Sequence, residues 1–578
     1  MDRRVLTAIV LMMAVAILPS VFFKKPVPRP VGREAGDSVG RLGGRAEGQV
    51  ADTTRIPPAI STVQSDSAPQ PPDRPAAVPS VGEASVTVSS PLYRYTFSTR
   101  GARMVGAELT EYPSMRPEEN RRPAQILRPT SDLLALGLLS GRDTLSLRDW
   151  QFTTSSTDVA VSGATPVTFT AERAGVTVSV TYTFRPDDYL IDASARVSGL
   201  GPDGGTVLVS MGPGLRNTES DSAEHVHESG IVVKGDKASL TRLTKLKPGQ
   251  PIALNGPFEW VAIKSKYFVT ALLAPDPDPN GRNGGISGAA AVVTETTGRS
   301  TTAVAMQAGL PVKSGGTVSY QLYAGPMEYP RLRAIGHDFD DINPYGWPGF
   351  RTIIRPVALG ARSLLVWMHD SMGLAYGMGL VLFGILIRIL LWPLNQKAMR
   401  STMAMQVVQP HIKELQEKYK SDPQRLQQEM FKLYKEHKVN PFGGCWPMLL
   451  PWPILLALFF VFQNTIELRG ASFLWLPDLS RADPTFIIPI AMGLSMFALT
   501  KIGQLGMEPN PQMKMLLYMM PAMMTFLFAK FASGLNLYYT VMNIASLPQQ
   551  WMLSRERLKR NPLPPKPVPV PVPAKKKR

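Results

Sequence analysis

The sequence predicts a polytopic α-helical membrane protein: six transmembrane helices, a large antiparallel β-sandwich on one side of the bilayer and a helical hairpin on the other. Three observations carry this expectation. Long apolar runs occur at the N-terminus and repeatedly from residue 372 onward. A long stretch before them alternates polar and apolar residues with period two, the mark of half-buried strands. Lys and Arg gather in the segments that a cytoplasmic N-terminus would place inside.

The mean hydropathy of −0.02 averages two unlike halves and so says little by itself. The balance of 62 Lys and Arg against 45 Asp and Glu, net +17, suits a polyanionic partner, and the apolar runs favour anionic lipid or ribosomal RNA over DNA. Cys445 is the only cysteine, which excludes intramolecular disulfides and cysteine-based zinc sites. Whatever lies outside the cell must fold on its core alone. No GxxxxGK[ST] pattern offers a nucleotide site, and no cofactor or metal is expected.

Residues 1–23 read as a transmembrane anchor: MDRR, then an apolar run from Val5 to Phe23. A signal peptide is the alternative, but no small-x-small cleavage site follows Pro19 and Ser20. Arg3 and Arg4 keep this end in the cytoplasm. Residues 24–80, rich in Pro, Gly and Ser, form a flexible linker.

Residues 81–334 carry the alternation, in runs such as VTVSVTYTF and TVSYQLYAG broken by GPDGG and KSGG, and predict the sandwich. His225 and His227 would put two imidazoles on one strand face, but without a third ligand they read as surface histidines. No catalytic group stands out there.

Residues 350–370 predict an amphipathic helix lying on the membrane, kinked at Pro356. Arg351, Arg355 and Arg362 fall on one face and Ile353, Ile354, Val357, Leu364 and Met368 on another; a soluble helix packed on the sandwich is the alternative. Residues 372–394 are the central span, and it holds one full charge, Arg388. Burying an arginine at mid-membrane costs about 2.5–3.5 kcal/mol even on the lenient insertion scale. It must face a wet cavity or a partner, unless it snorkels to the cytoplasmic surface beside Trp392.

Residues 395–440 predict an antiparallel cytoplasmic hairpin. Met405, Val408, Ile412, Leu415 and Tyr419 follow a 3-4 spacing, and Leu426, Met430 and Leu433 resume it after a break, with Ser421 or Asp422 as cap and Pro423 opening the second helix. Its Lys-rich outer face is either solvated or a binding surface. Further spans are expected at 446–466, 485–501, 513–530 and 534–552, followed by a basic cytoplasmic tail at 560–578. The spans at 485–501 and 513–530 are short, with apolar runs of only about 15 to 17 residues, so the bilayer should thin around them.

Polar residues recur inside the spans. Gln463 and Asn464 sit near one end of their helix, whereas Asn536, Thr540 and Asn543 share one face of the last, with Tyr539 on its flank. With Arg388 they line a hydrophilic groove or, alternatively, hydrogen-bond between helices and fasten the bundle.

The motifs IRILLWPLNQKAMRSTMAM, VNPFGGCWPMLL, IELRGASFLWLPDLS, DPTFIIPIAMG and FASGLNLYYTVMN, in that order from Tyr345 to Lys559, resemble the YidC/Oxa family of membrane protein insertases. The anchor and outer β-domain add the architecture of the form found in bacteria with two membranes. The resemblance implies a non-enzymatic insertase and chaperone of the bacterial inner membrane, with both termini cytoplasmic and the β-domain periplasmic. Its partners would be nascent membrane proteins, the Sec translocon and its accessory subunits, the ribosome and signal-recognition-particle pathway, and anionic lipids. Arg388 would lie in a groove open to cytoplasm and lipid, residues 395–440 would be a mobile element that admits substrate, and Tyr539 would touch substrate. Gly384 departs from the hydroxyl residue that relatives carry one turn before the arginine. Two rivals remain: a secondary transporter binding an anion at Arg388, against which stands the lack of an inverted repeat, and a glycan-handling enzyme seated in the sandwich.

Overall fold

The computed structural model describes residues 83–560 apart from 142, 201–203, 275–284, 299, 314–315, 347–348, 397–407, 409–410, 413, 421, 438–451 and 506–510. The expected anchor, the linker, Met405, the beginning of the span at 446 and the tail past Arg560 lie outside the described residues. Among the described residues, those up to Pro344 and those from Tyr345 onward form two compact units.

In the β-unit, alternation becomes architecture directly. Along Val176–Phe184, Val178, Val180, Tyr182 and Phe184 are fully buried while the Thr and Ser between them are not. This strand pairs antiparallel with Thr165–Arg173 on one side and Leu190–Ser198 on the other, inside a nine-stranded sheet. Sheets of six and five strands complete the unit. One pairing is parallel, Thr87–Ser89 with Asp158–Ala160. The core is aromatic: Phe97 lies 5.3 Å from Tyr182 and 5.8 Å from Phe169, centroid to centroid, and the Tyr95 hydroxyl donates to the Ala324 carbonyl at 2.7 Å. Each ring buries a large apolar area and the phenol finds an acceptor, which is how a large unit closes without disulfides.

His225 and His227 correct the sequence reading. They lie on a short helix, Ser222–Glu228 (α1), because Asp221 accepts from the Ala223 and Glu224 amides at 2.9 and 3.0 Å and starts a helical turn. Two residues apart on a helix, they point in different directions. His225 is buried, and burial followed by the nearby Arg128 charge lowers its pKa to about 4. Burial alone would raise Glu228, but the His227 hydrogen bond and the Arg242 and Lys264 charges hold it down at about 2.

The β-unit runs on past the expected boundary at 334. After Tyr329–Ile335 (α2), residues 337–343 are fastened to the nine-stranded sheet. Trp260 Nε1 donates to the His337 carbonyl, Lys234 Nζ pairs with Asp338, and Lys264 Nζ donates to Asn343 Oδ1, each at 3.0 Å. Phe339 and Ile342 are fully buried.

The second unit is helical: Arg351–Met372 (α3), Tyr376–Leu390 (α4), Pro423–Glu436 (α5), Trp452–Asn464 (α6), Ile487–Gly503 (α7), Pro511–Phe528 (α8) and Ser533–Arg560 (α9). Among the described residues, no helix is long and apolar enough to cross a membrane. The expected spans appear as helices of 15, 13, 17, 18 and 28 residues, and the longest ends in the polar run SRERLKR.

On α3, Arg362 is not on an exposed basic face. It is buried with Ile354, Ala358, Ala361, Leu365 and Met368, and it pairs with Glu467, while Ile353 and Trp367 are exposed. A half-buried carboxylate on the loop after α6 outweighs the helix's own amphipathic pattern at that position. Asp422, of the two cap candidates, opens α5 by accepting from the Arg425 amide at 3.1 Å.

Small residues set the helix crossings. A side chain on Gly384 of α4 would meet Val541 of α9 at 3.1 Å, so the missing hydroxyl accompanies a close approach of these two helices.

Candidate functional site

The site grows from the α4–α9 crossing. Arg388 lies in the last turn of α4, and its neighbours Ile385, Leu386, Ile389 and Leu390 point outward and are exposed. Arg388 itself turns the other way, half-buried, and its Nη2 donates to Gln549 Oε1 on α9. Gln549 is 1% exposed, and its Nε2 donates to the Trp392 carbonyl at 3.2 Å. Arg388 Nε is buried, and among the described residues it has no hydrogen-bond partner and Arg388 no ion pair.

The other polar residues of the last helix are used differently. Asn543 Nδ2 donates to Ser495 Oγ of α7 at 3.1 Å, and Asn536 Nδ2 donates to the Phe528 carbonyl at the end of α8 at 2.9 Å. Thr540 Oγ1 donates to the Asn536 carbonyl of its own helix at 2.8 Å. The stripe therefore fastens α9 to α7 and α8. Tyr539 is half-buried, with its ring 5.6 Å from Phe528, and Tyr538 packs 5.9 Å from Phe383.

Gln463 and Asn464 end α6, and the next residue, Thr465, meets the Tyr345 hydroxyl at 3.3 Å. The loop that follows is folded. Asp483 is buried, accepting from the Thr485 amide at 2.9 Å and the Ile488 amide at 2.8 Å to start α7, and Ser533 and Gly534 donate to the Arg481 and Leu479 carbonyls.

Sequence reasoning named Arg388, and Trp392 only as its neighbour, but missed Gln549 and Ser495. The signal for Gln549 was the pair Gln549–Gln550: the 3-4 stripe through Asn543 leads to Gln550, which lies against Gly503, while the residue beside it turns to α4.

In the hairpin, Val408 and Leu433 are buried against each other with Ile412 and Leu415 packed on them. Tyr419, Leu426 and Met430 are half-buried, and Phe431 is 60% exposed. The β-unit also holds an open cleft of about 790 Å³ on the polar side of its large sheet, where Arg185 and Gln321 both hold the Asp192 carboxylate.

Two family models match the chain: the YidC periplasmic domain over residues 85–358 and the 60Kd inner membrane protein over residues 367–561. A membrane protein insertase YidC from Syntrophus aciditrophicus is 30% identical over 576 residues, covering 96% of this chain and 100% of the relative. The chain belongs to the YidC family of membrane protein insertases.

YidC relatives from Chlorobium phaeovibrioides, at 32% identity over 81% of this chain and 83% of theirs, and from Chlorobaculum parvum, at 31% over 86% and 88%, carry the same name. Among solved structures, an active YidC insertase with its first transmembrane domain resolved matches at 18% identity and a TM-score of 0.33, covering 81% of this chain and 93% of that one. A galactose mutarotase related enzyme from Lactobacillus acidophilus matches at 9% identity and a TM-score of 0.26, covering 42% and 97%. By homology the chain is an inner-membrane insertase acting on membrane protein substrates, and the YidC family is not one of enzymes.

Proposed function

We propose that this insertase works through a hydrophilic groove whose charge is Arg388, that it also helps its substrates fold, and that it acts alone or beside the Sec translocon. The observation that carries the reading is the inward turn of Arg388 from a helix whose neighbouring side chains are apolar and exposed. An arginine reaching for the surface would not be bracketed by a buried glutamine.

The expected six-span topology puts both termini and the hairpin in the cytoplasm and the β-unit in the periplasm. Helices of 15 to 18 residues reach only about 22 to 27 Å at 1.5 Å per residue, against a hydrocarbon core of about 30 Å. A bilayer pinched around them shortens the path that a polar segment must cross. Arg388 attracts an acidic segment into the groove and keeps it hydrated, and the substrate's own apolar helix then leaves sideways into lipid. That transfer supplies about 0.3–0.6 kcal/mol per central Leu, Ile, Phe or Val, so no nucleotide is required. Residues 395–440 admit the substrate, Tyr539 contacts it, and the Lys-rich tail meets the ribosome and anionic headgroups.

The test is protease protection of a single-span substrate with an acidic outer tail, in liposomes holding the full chain or its Arg388→Ala variant. Protection is expected with the full chain and lost with the variant. Equal protection by both sinks the charged-groove mechanism.

A further inference from the structure

We infer that Gln549 is the positioning residue of the groove: it holds the Arg388 guanidinium in place without neutralising it. The inference rests on the groove reading above and goes beyond it by naming what sets the charge available to substrate.

Three observations converge. Gln549 uses both ends of its amide on one side of the crossing, its oxygen on Arg388 and its nitrogen on the Trp392 carbonyl, four residues further along the chain. The carbonyl at Trp392 fixes the amide's orientation, since a flipped group would turn a carbonyl toward a carbonyl and an NH₂ toward a guanidinium. Gln549 is almost fully buried, so its rotamer is set by packing as well.

The chemistry of the partner matters more than its presence. A glutamate would fit the same space and would hydrogen-bond the guanidinium more strongly, yet it would cancel the charge. Glutamine satisfies one N–H and leaves the full positive charge in place. Four of the five guanidinium donors remain beyond this bond, and among the described residues the buried Nε has no partner. A carboxylate arriving on a substrate tail thus finds a cation already oriented and not already paired. The Arg362–Glu467 pair in the same unit shows the other arrangement, in which a buried arginine is spent on structure.

The experiment uses the full-length chain in liposomes and two single-span substrates that differ only in having an acidic or a neutral outer tail. The readout is the ratio of protected acidic-tail to protected neutral-tail substrate, which a loss of stability would not shift. Gln549→Glu is expected to lower that ratio about tenfold, toward the value for Arg388→Ala. The double exchange Arg388→Gln with Gln549→Arg, which returns one charge to the same pair, is expected to restore part of the ratio relative to Arg388→Gln alone. If Arg388→Ala collapses the ratio but Gln549→Glu leaves it intact, or lowers both substrates equally, the role given to Gln549 is overturned while the groove stands. If Arg388→Ala leaves the ratio intact, the groove reading itself falls. Should Gln549→Glu fail to accumulate, the double exchange decides: a restored ratio supports the role, and no restoration overturns it.

Discussion

Two arginines in the helical unit are held by opposite means. Arg362, on α3, meets a carboxylate, Glu467, and its charge is cancelled where it lies. Arg388, on α4, meets an amide and keeps its charge. The β-unit shows both: Lys266 pairs with Glu224 at 2.9 Å and Lys234 with Asp338, His225 is neutral, and buried Lys264 donates to an amide, Asn343. Folding alone favours cancellation, because an unpaired buried charge is costly. Arg388 departs from that preference on the apolar α4, whereas Arg557, also held without a carboxylate among the described residues, donates to the Gly503 and Leu505 carbonyls at the end of α9.

That contrast can be tested charge by charge. Removing Glu467 as alanine leaves Arg362 buried without its carboxylate and should cost about 3–5 kcal/mol, read as a drop in melting temperature in detergent. Glu467→Gln, which makes this pair resemble the one at Arg388, should cost clearly less, since an acceptor remains. If the two variants melt together and below the unaltered chain, the acceptor adds nothing and neutralisation is the whole of what Glu467 contributes.

The neutral His225 predicts an acid transition. Its folded pKa of about 4 lies below an unfolded value near 6.5, so the unfolded chain binds more protons between the two. Stability of the β-unit should therefore fall as pH drops from about 6.5 to about 4, by up to about 3 kcal/mol. Hydrogen exchange of the strand amides across that range would show it, and His225→Gln should flatten the slope.

Asp483 is a charge satisfied entirely by local donors, so Asp483→Asn should cost about 2 kcal/mol and loosen the start of α7, visible as faster exchange at Thr485 and Ile488. Gly384→Ser should be the mildest, about 1 kcal/mol, because Val541 must give by only a few tenths of an ångström. A larger loss, with insertion also impaired, would place the α4–α9 approach itself in the mechanism.

Much of this architecture was legible because it rests on period. Alternation gave the β-unit its strands, as along Val176–Phe184, and the 3-4 spacing of Val408, Ile412 and Leu415 gave the hairpin its small core. What escaped depends on partners distant in sequence. Nothing in HVH announces that Asp221 will cap a helix there, and nothing around Arg362 announces Glu467, 105 residues later. In the candidate site Arg388 was visible, since a lone charge in an apolar run is conspicuous. Gln549 was not, because its meaning lies in facing α4 while its neighbour Gln550 faces α7. The stripe of Asn536 and Asn543 was read as groove or fastener, and their bonds run to α8 and α7.

The fastening of residues 337–343 also has a mechanical side. The chain leaves the β-unit at Pro344 from a point anchored by Trp260, Lys234 and Lys264, side chains of two strands of the nine-stranded sheet. A pull along the backbone at that point loads these bonds and the buried Phe339 before any slack is taken up. The sheet therefore acts as a stiff mount for the end of the β-unit itself, so that its last residues are held as firmly as its strands.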